Sequence, residues 1–203
     1  MLLSPRAPNT TLGDDTMKAL RSFLALIIVC LLATTAFAKE KDGVTLPDDV
    51  QVGGTKLVLN GMGTREATML KIDVYVAGLY LEAKSSDGAA IARSTQKRRL
   101  VLRFVRDVDR SDIVDAWNKG FDGNGKDKGP LQAKIQQLNG WMASVKNGQH
   151  LTFTFEIGKG LEVNVNGQVK GTIAGDDFAE AFFLIWLGKN PPNEGLKAGL
   201  LGR

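Results

Sequence analysis

The sequence predicts an α+β fold, in which an antiparallel sheet is covered by helices mainly on one face. Segments rich in β-branched and aromatic residues dominate the first half of the chain and recur at residues 151–173. Most connections between them are too short for the crossovers that parallel strands need. Stretches with helical periodicity come as one pair in the middle of the chain and another at its end, so they can form a layer on the sheet.

The N-terminus carries the features of an export signal. Lys18 and Arg21 precede an apolar run at residues 23–32, and the sequence AFA at 36–38 supplies the small-x-small pattern that signal peptidase accepts. The apolar run is too short to span a bilayer, which needs about 20 residues. We therefore expect cleavage after residue 38 and a periplasmic or secreted mature protein.

The chain divides into two parts on this basis. Residues 1–38 comprise an N-terminal extension and the signal peptide, with Met17 as the true start, and residues 39–203 form one domain of ordinary size. The single cysteine, Cys30, lies in the first part, so the mature domain has no thiol or disulfide chemistry. No later segment is apolar over enough residues to span a membrane.

The first half of the domain is predicted from its β-branched and aromatic runs. We expect three strands, one that begins with residues 56–60 and two at residues 69–82 and 99–105, and a short helix within residues 85–96. The polar residues 39–52 are expected to be loosely structured. Lys97-Arg98-Arg99, the only dense basic run, is interpreted as the solvated entry to the third strand.

Two helices are predicted in the middle of the domain. Ser111 is a suitable N-cap for the first, and a break at residues 122–129 separates it from the second. Apolar residues recur at helical spacing in both: Ile113, Val114, Trp117 and Phe121 in the first, and Leu131, Ile135, Leu138, Trp141, Met142 and Val145 in the second. Each stripe is expected to pack against the sheet.

A hairpin and two further helices complete the domain. Asn166-Gly167 between alternating apolar residues is a strong hairpin-turn pattern. Asp177 is predicted to cap the next helix, with Glu180 as its capping-box partner. Residues 178–187 are apolar nearly all round, which indicates a buried helix. Pro191-Pro192 can open the last helix.

Charge and motif patterns argue against several classes of function. The formal net charge is +4, and the basic residues are scattered, unlike the clustered stripe of a nucleic-acid-binding protein. Residues 122–133 lack the ligands of a calcium loop, and Gly61-Met62-Gly63 precedes a strand where a dinucleotide site needs a helix. His150, the only histidine, cannot build a zinc site without cysteines. We expect it at an exposed strand end, and we predict no metal, cofactor or catalytic residue.

Arg65 and Tyr75 are the candidate ligand-binding residues. If the chain turns tightly around Leu70, residues whose numbers sum to 140 face each other across two antiparallel strands, and Arg65 then faces Tyr75. Their Cβ atoms would lie about 5 Å apart. A guanidinium beside a phenol is a suitable carboxylate receptor, because the arginine fork can bind both oxygens. The alternative from spacing alone is an exposed arginine whose stem packs on the tyrosine.

Three stretches resemble the chalcone isomerase-like family, especially its exported bacterial members. They are LVLNGMGTREATMLKIDVYVAGLYLE at residues 57–82, NGQVKGTIAGDDFAEAFFLIWLG at 166–188 and PPNEGLKAGLLG at 191–202. They follow in the same order over most of the mature chain. The resemblance implies an open-faced β-sandwich, in which helices cover a large antiparallel sheet.

The resemblance also bears on the candidate site. The arginine of GxGxR is shared widely in the family, and here it is Arg65. Tyr75 stands where the isomerases have a threonine, and the family's fatty-acid binders are similar in placing an arginine and a tyrosine on the carboxylate. The tyrosine that the isomerases need after the third strand has no match around Arg110 and Ser111. The resemblance therefore implies a protein without isomerase activity.

Three functions remain open on the sequence. The first is a non-catalytic exported protein that binds a small apolar carboxylate, such as a fatty acid, through Arg65 and Tyr75. The second is an isomerase- or lyase-type enzyme in which Arg65 stabilises an enolate or phenolate. The third is an envelope interaction protein with no small ligand. The sequence predicts neither the identity of the ligand nor an oligomeric state.

Overall fold

The computed structural model describes residues 38–67, 72–125 and 129–203. Apart from its last residue, Ala38, the predicted signal peptide lies outside these residues, as do Met17 and the turn around Leu70. No helix of the described residues is both long enough and apolar enough to cross a membrane.

Within the described residues, one antiparallel sheet contains seven strands in sequence order. They are β3 (Asp49–Val52), β4 (Thr55–Ala67), β5 (Ile72–Leu81), β6 (Arg98–Phe104), β7 (His150–Glu156), β8 (Gly160–Val165) and β9 (Gln168–Ile173). Strands β1 (Ala38–Lys41) and β2 (Val44–Pro47) form a separate hairpin. The helices are α1 (Gly88–Arg93), α2 (Arg110–Asn124), α3 (Gln132–Trp141), α4 (Asp176–Leu187) and α5 (Glu194–Leu200). The predicted antiparallel α+β architecture is confirmed.

The larger hydrophobic core lies between the sheet and the helices. Alternate residues of β5, from Tyr75 to Leu81, point into this core with buried residues of β6, β7 and β8. Helix α4 fills its centre, and seven of its residues are buried: Phe178, Ala179, Phe182, Phe183, Ile185, Trp186 and Leu187. The sequence-based prediction that this helix is buried is therefore confirmed.

A smaller core lies on the other face of the sheet. It joins Leu46 of β2 to Val76 and Tyr80 of β5, and the Tyr80 hydroxyl donates a hydrogen bond to the Pro47 carbonyl at 2.9 Å. The β1–β2 hairpin thus packs on the sheet, so the expectation of loose structure over residues 39–52 is wrong. Its turn is Asp42-Gly43, both with positive φ (47° and 75°), a two-residue hairpin pattern that polar composition concealed.

Two of the three residues in the basic run at the start of β6, Lys97 and Arg98, are buried, and Arg99 is half-buried. Arg98 is 1 % exposed, and its guanidinium lies 4.1 Å from the centre of the Phe155 ring and 4.6 Å from that of Phe183. It donates hydrogen bonds to the carbonyls of Ala92, Ser94 and Gln96, at and just beyond the end of α1. Carbonyl dipoles at a helix C-terminus favour a cation. This prediction failed because the end of α1 presents carbonyls to Arg98, and two phenylalanine rings distant in the chain cover its guanidinium.

Two predicted helix starts need correction. Helix α2 begins at Arg110 after the N-cap Asp109, so Ser111 lies inside it. Helix α4 begins at Asp176 after the N-cap Gly175, whose φ is 106°. Asp177 lies in the first turn of α4 and pairs with Lys134 at 2.9 Å instead of capping, and Glu180 pairs with Arg93 of α1.

Three other predicted boundaries also shift. Helix α3 ends at Trp141, and the buried Met142 and Val145 follow it; Val145 forms an isolated bridge with Val108. Helix α5 starts after Asn193, so the two prolines precede it without opening it. Helix α2 continues to Asn124, past the predicted break at residue 122.

The Gly61-Met62-Gly63 segment lies where β4 contacts α5. A Cβ atom at Gly61 would lie 2.1 Å from the Gly199 carbonyl oxygen, and one at Gly63 would lie 2.3 Å from the Leu196 carbonyl oxygen. Glycine is thus required for close backbone approach. These residues pack against a helix within the fold.

Candidate functional site

The candidate site begins with a pair of residues on neighbouring strands. Arg65 of β4 lies directly opposite Tyr75 of β5, as the sum of their residue numbers predicted. A β-bulge follows at once, between Arg65 and Glu66. Bulges bend a strand and can re-aim a side chain. The strands β4 and β5 therefore bring the two candidate residues together at a local irregularity near the ends of both strands.

Tyr75 is a buried neutral phenol. Its side chain is 6 % exposed and packs edge-on against Phe104, which lies opposite it on β6 with ring centres 5.5 Å apart. The Nε1–H of Trp186 donates a hydrogen bond to the Tyr75 oxygen at 2.9 Å. Burial raises the pKa of Tyr75 to about 12, although the Trp186 hydrogen bond and the Arg65 charge partly oppose that rise.

Arg65 is half-buried beside this phenol. One guanidinium nitrogen, Nη1, donates to the carbonyl of Glu66, which holds the side chain next to the bulge. No carboxylate of the described residues forms an ion pair with Arg65. The remaining N–H donors of its planar fork can therefore serve a ligand.

Both residues line one cavity of about 700 Å³ between the sheet and the helices. Its apolar wall comes from β5, β6, α2, α4 and the segment before α5: Val74, Phe104, Val108, Ile113, Ala116, Trp117, Ile185, Pro191 and Pro192. Arg106, Asp112, Asp115 and Lys119 add charged groups of both signs. Asp107 also lines the cavity and pairs with Lys146 at 2.9 Å, and the hydrogen bond from Lys146 holds the pKa of Asp107 below its usual range.

Trp186 contacts the phenol and Trp117 lines the same cavity, and sequence analysis assigned neither of them to the site. Trp186 of α4 and Trp117 of α2 lie with ring centres 5.3 Å apart. Helical periodicity placed both on buried faces, but no local pattern could show that Trp186 reaches Tyr75, 111 residues away in the chain. The indole N–H of Trp117 is buried and has no hydrogen-bond partner within the described part of the chain.

His150 lies outside this site. It starts β7 opposite Arg103 of β6, and its Nδ1 lies 3.4 Å from Arg103 Nη1. It is half-buried rather than exposed, and burial together with the Arg103 charge lowers its pKa. The described residues include no group of three or more His, Cys, Asp or Glu side chains that could hold a metal ion.

Comparison with known proteins gives a family and a fold. A sequence profile described as chalcone isomerase-like matches residues 38–202. A search of curated proteins finds no match. Among solved structures, the chain is similar to an Arabidopsis thaliana fatty-acid binding protein, AtFAP1, with a TM-score of 0.63 and 16 % sequence identity. That similarity covers 81 % of this chain and 96 % of the other, and at this identity it shows the fold alone.

Proposed function

This chain belongs to the chalcone isomerase-like family, and we propose that it is a non-catalytic member that binds a small apolar carboxylate, such as a fatty acid. One observation carries the proposal. The Arg65 guanidinium and the Tyr75 hydroxyl share the wall of a cavity that is lined by apolar and charged side chains, and no described carboxylate pairs with the arginine. The fatty-acid binding activity named for AtFAP1, a protein of the same fold, supports the same choice of ligand.

The chemistry of the two residues suits a carboxylate. Arg65 supplies a fixed positive charge and N–H donors, while Tyr75 supplies a neutral O–H donor that its raised pKa keeps protonated. A hydrogen bond to a charged group contributes about 1.5–3 kcal/mol. A neutral ligand would leave the Arg65 charge without a counter-ion, so the site favours an anion.

The cavity suits an apolar chain or ring system. Its volume of about 700 Å³ lies within the range of about 300–1,000 Å³ that is usual for small-molecule sites. Each methylene group buried against its wall contributes about 0.8 kcal/mol. The apolar part of the ligand thus provides affinity, and the head group at Arg65 and Tyr75 determines its orientation.

The phenol at the head-group site is poorly suited to acid–base catalysis. With a pKa of about 12, Tyr75 is a poor proton acceptor or donor near neutral pH. The carboxylates and the lysine of the lining, Asp107, Asp112, Asp115 and Lys119, are the groups left for the isomerase alternative. The isomerase alternative requires turnover of a chalcone-type substrate. We expect none, and measurable cyclisation by the wild-type protein would favour the enzyme.

We also propose that the protein acts outside the cytoplasm, because the sequence AFA at residues 36–38 follows a signal-like apolar run. Native mass spectrometry of the protein purified from the periplasm of its native organism tests whether a carboxylate is bound. It also distinguishes a ligand-binding protein from an interaction protein without a small ligand. We expect a bound carboxylic acid that the Arg65→Ala variant lacks. A ligand-free protein that also fails to take up added fatty acids would favour the envelope interaction protein.

A further inference from the structure

Trp186 contacts the candidate ligand-binding tyrosine from the interior of the protein. It lies on α4, is 1 % exposed, and its Nε1–H donates to the Tyr75 oxygen at 2.9 Å. An indole nitrogen carries one proton and accepts no hydrogen bond. At this contact, therefore, the phenol oxygen can act only as the acceptor.

This contact restricts where the Tyr75 proton can point. A hydroxyl has a single proton, and it rotates to suit its partners. With the oxygen accepting from Trp186, the proton points elsewhere, and the Tyr75 hydroxyl donates to no acceptor within the described residues. Arg65, the charged neighbour, has no acceptor to offer. An acceptor on a ligand in the cavity would satisfy this proton.

We infer that Trp186 is a positioning residue, which fixes the Tyr75 hydroxyl as a donor toward the cavity and thereby favours a carboxylate over a neutral alcohol of equal chain length. The inference rests on the proposed function, because it concerns the head group of the same ligand. A hydrogen bond to a carboxylate is roughly twice as strong as one to a neutral oxygen. A correctly oriented donor consequently adds more to the binding of an acid than to that of an alcohol.

A purely packing role for Trp186 must be distinguished from this positioning role. Its ring lies 5.0 Å from that of Phe182 and 5.3 Å from that of Trp117, centre to centre. Substitution by phenylalanine keeps an aromatic ring at this place and removes the N–H donor. Trp141, which is half-exposed and packs against Gly171 of β9, provides the matched control, Trp141→Phe.

The hydrogen bond itself can be tested without a ligand. The protein has three tryptophans, so a ¹⁵N-labelled sample gives three indole N–H resonances in the NMR spectrum, which single Trp→Phe variants assign. In Tyr75→Phe, the Trp186 indole proton should move upfield because it loses its acceptor, while that of Trp141 should stay in place. An unchanged Trp186 resonance would overturn the inference.

The effect on binding is tested by titration calorimetry with dodecanoate and dodecanol. Tyr75→Phe and Trp186→Phe should each weaken dodecanoate binding roughly 3- to 10-fold, the scale of one hydrogen bond, and the double variant should bind about as well as Tyr75→Phe alone. The affinity of Tyr75→Phe and Trp186→Phe for dodecanol should change less than about 2-fold. The affinity of Trp141→Phe for either ligand should also change less than about 2-fold. Losses of affinity that add in the double variant, or that are equal for dodecanoate and dodecanol, would show that Trp186 only packs. Either result would overturn this inference and leave the proposed function standing. Failure of the wild type to bind dodecanoate would overturn the proposed function and the inference with it.

Discussion

Arg65 and Tyr75 lie directly opposite each other on β4 and β5, immediately before the bulge at which Val74 of β5 is the extra residue. Tyr75 in turn lies opposite Phe104 on β6, so a row of three side chains crosses the sheet along the cavity wall. The row passes from a cation through a neutral phenol to an apolar ring. This order matches an amphipathic ligand whose charged head group lies toward β4 and whose apolar part lies toward β6 and the helices.

The raised pKa of Tyr75 predicts how carboxylate binding depends on pH. A phenol donates its proton only below its pKa, and burial raises that of Tyr75 from 10.0 to about 12. The donor form therefore persists about two pH units higher than in an exposed tyrosine. We expect dodecanoate affinity, measured by calorimetry, to be unchanged between pH 8 and pH 10.5 on protein shown by circular dichroism to be folded. A decline centred near pH 10 would mean that Tyr75 is exposed or does not contact the ligand.

The burial of α4 predicts a large loss of stability in Trp186→Ala. The side chain is 1 % exposed and contacts two aromatic rings, so its removal leaves a cavity in the main core. We expect the free energy of unfolding, measured by chemical denaturation, to fall by about 3–5 kcal/mol. Replacement of the half-exposed Trp141 by alanine should lower the free energy of unfolding by less. A change below about 1 kcal/mol in Trp186→Ala would contradict the burial of this helix.

The β4–α5 contact predicts opposite effects for two glycine substitutions. In Gly63→Ala the new methyl group would lie 2.3 Å from the Leu196 carbonyl oxygen, which belongs to the backbone and cannot move without displacing α5. We expect a loss of about 1–3 kcal/mol in thermal or chemical unfolding. At Gly140, within α3, a Cβ atom would meet no other part of the protein within 4 Å, so Gly140→Ala should stabilise the protein by about 0.5–1 kcal/mol. Equal stability of the two variants would contradict the close approach.

The predicted export signal gives a defined mature N-terminus. Signal peptidase cleaves after the second small residue of its site, here Ala38. N-terminal sequencing of the protein recovered from the periplasm or the medium should begin at Lys39. Recovery of a mature protein that retains residues 23–32 would contradict export by this route.

Local sequence patterns were sufficient for strands β4 to β9 and for the Arg65–Tyr75 pair, but not for β1, β2 and β3. Alternating apolar residues fix which face of a strand is buried, and two adjacent antiparallel strands allow few ways to align. The Asp42-Gly43 turn also carried a recognisable pattern, but the polar residues around it led to the wrong prediction of loose structure. An Asp-Gly pair favours a two-residue turn with positive φ. Such a pair is stronger evidence for a hairpin than polar composition is evidence against one.

Contacts between distant parts of the chain could not be predicted in this way. Arg98 looked solvated because it is charged, yet carbonyls at the end of α1 and two phenylalanine rings provide its surroundings. Asp177 had the sequence of a helix cap, but Lys134 of α3 engages its carboxylate. The contact between Trp186 and Tyr75 likewise depends on how α4 packs on the sheet. Each of these side chains has a partner that only the tertiary structure brings near.

The most direct test of carboxylate binding is calorimetric titration of the delipidated protein with dodecanoate. Arg65→Ala is compared with the wild type and with Arg93→Ala, which removes an exposed arginine of α1 that pairs with Glu180. We predict binding by the wild type, similar binding by Arg93→Ala, and a loss of about 2 kcal/mol or more in Arg65→Ala, all three proteins being folded. Equal affinity of Arg65→Ala and the wild type, or no binding by the wild type, would contradict the account.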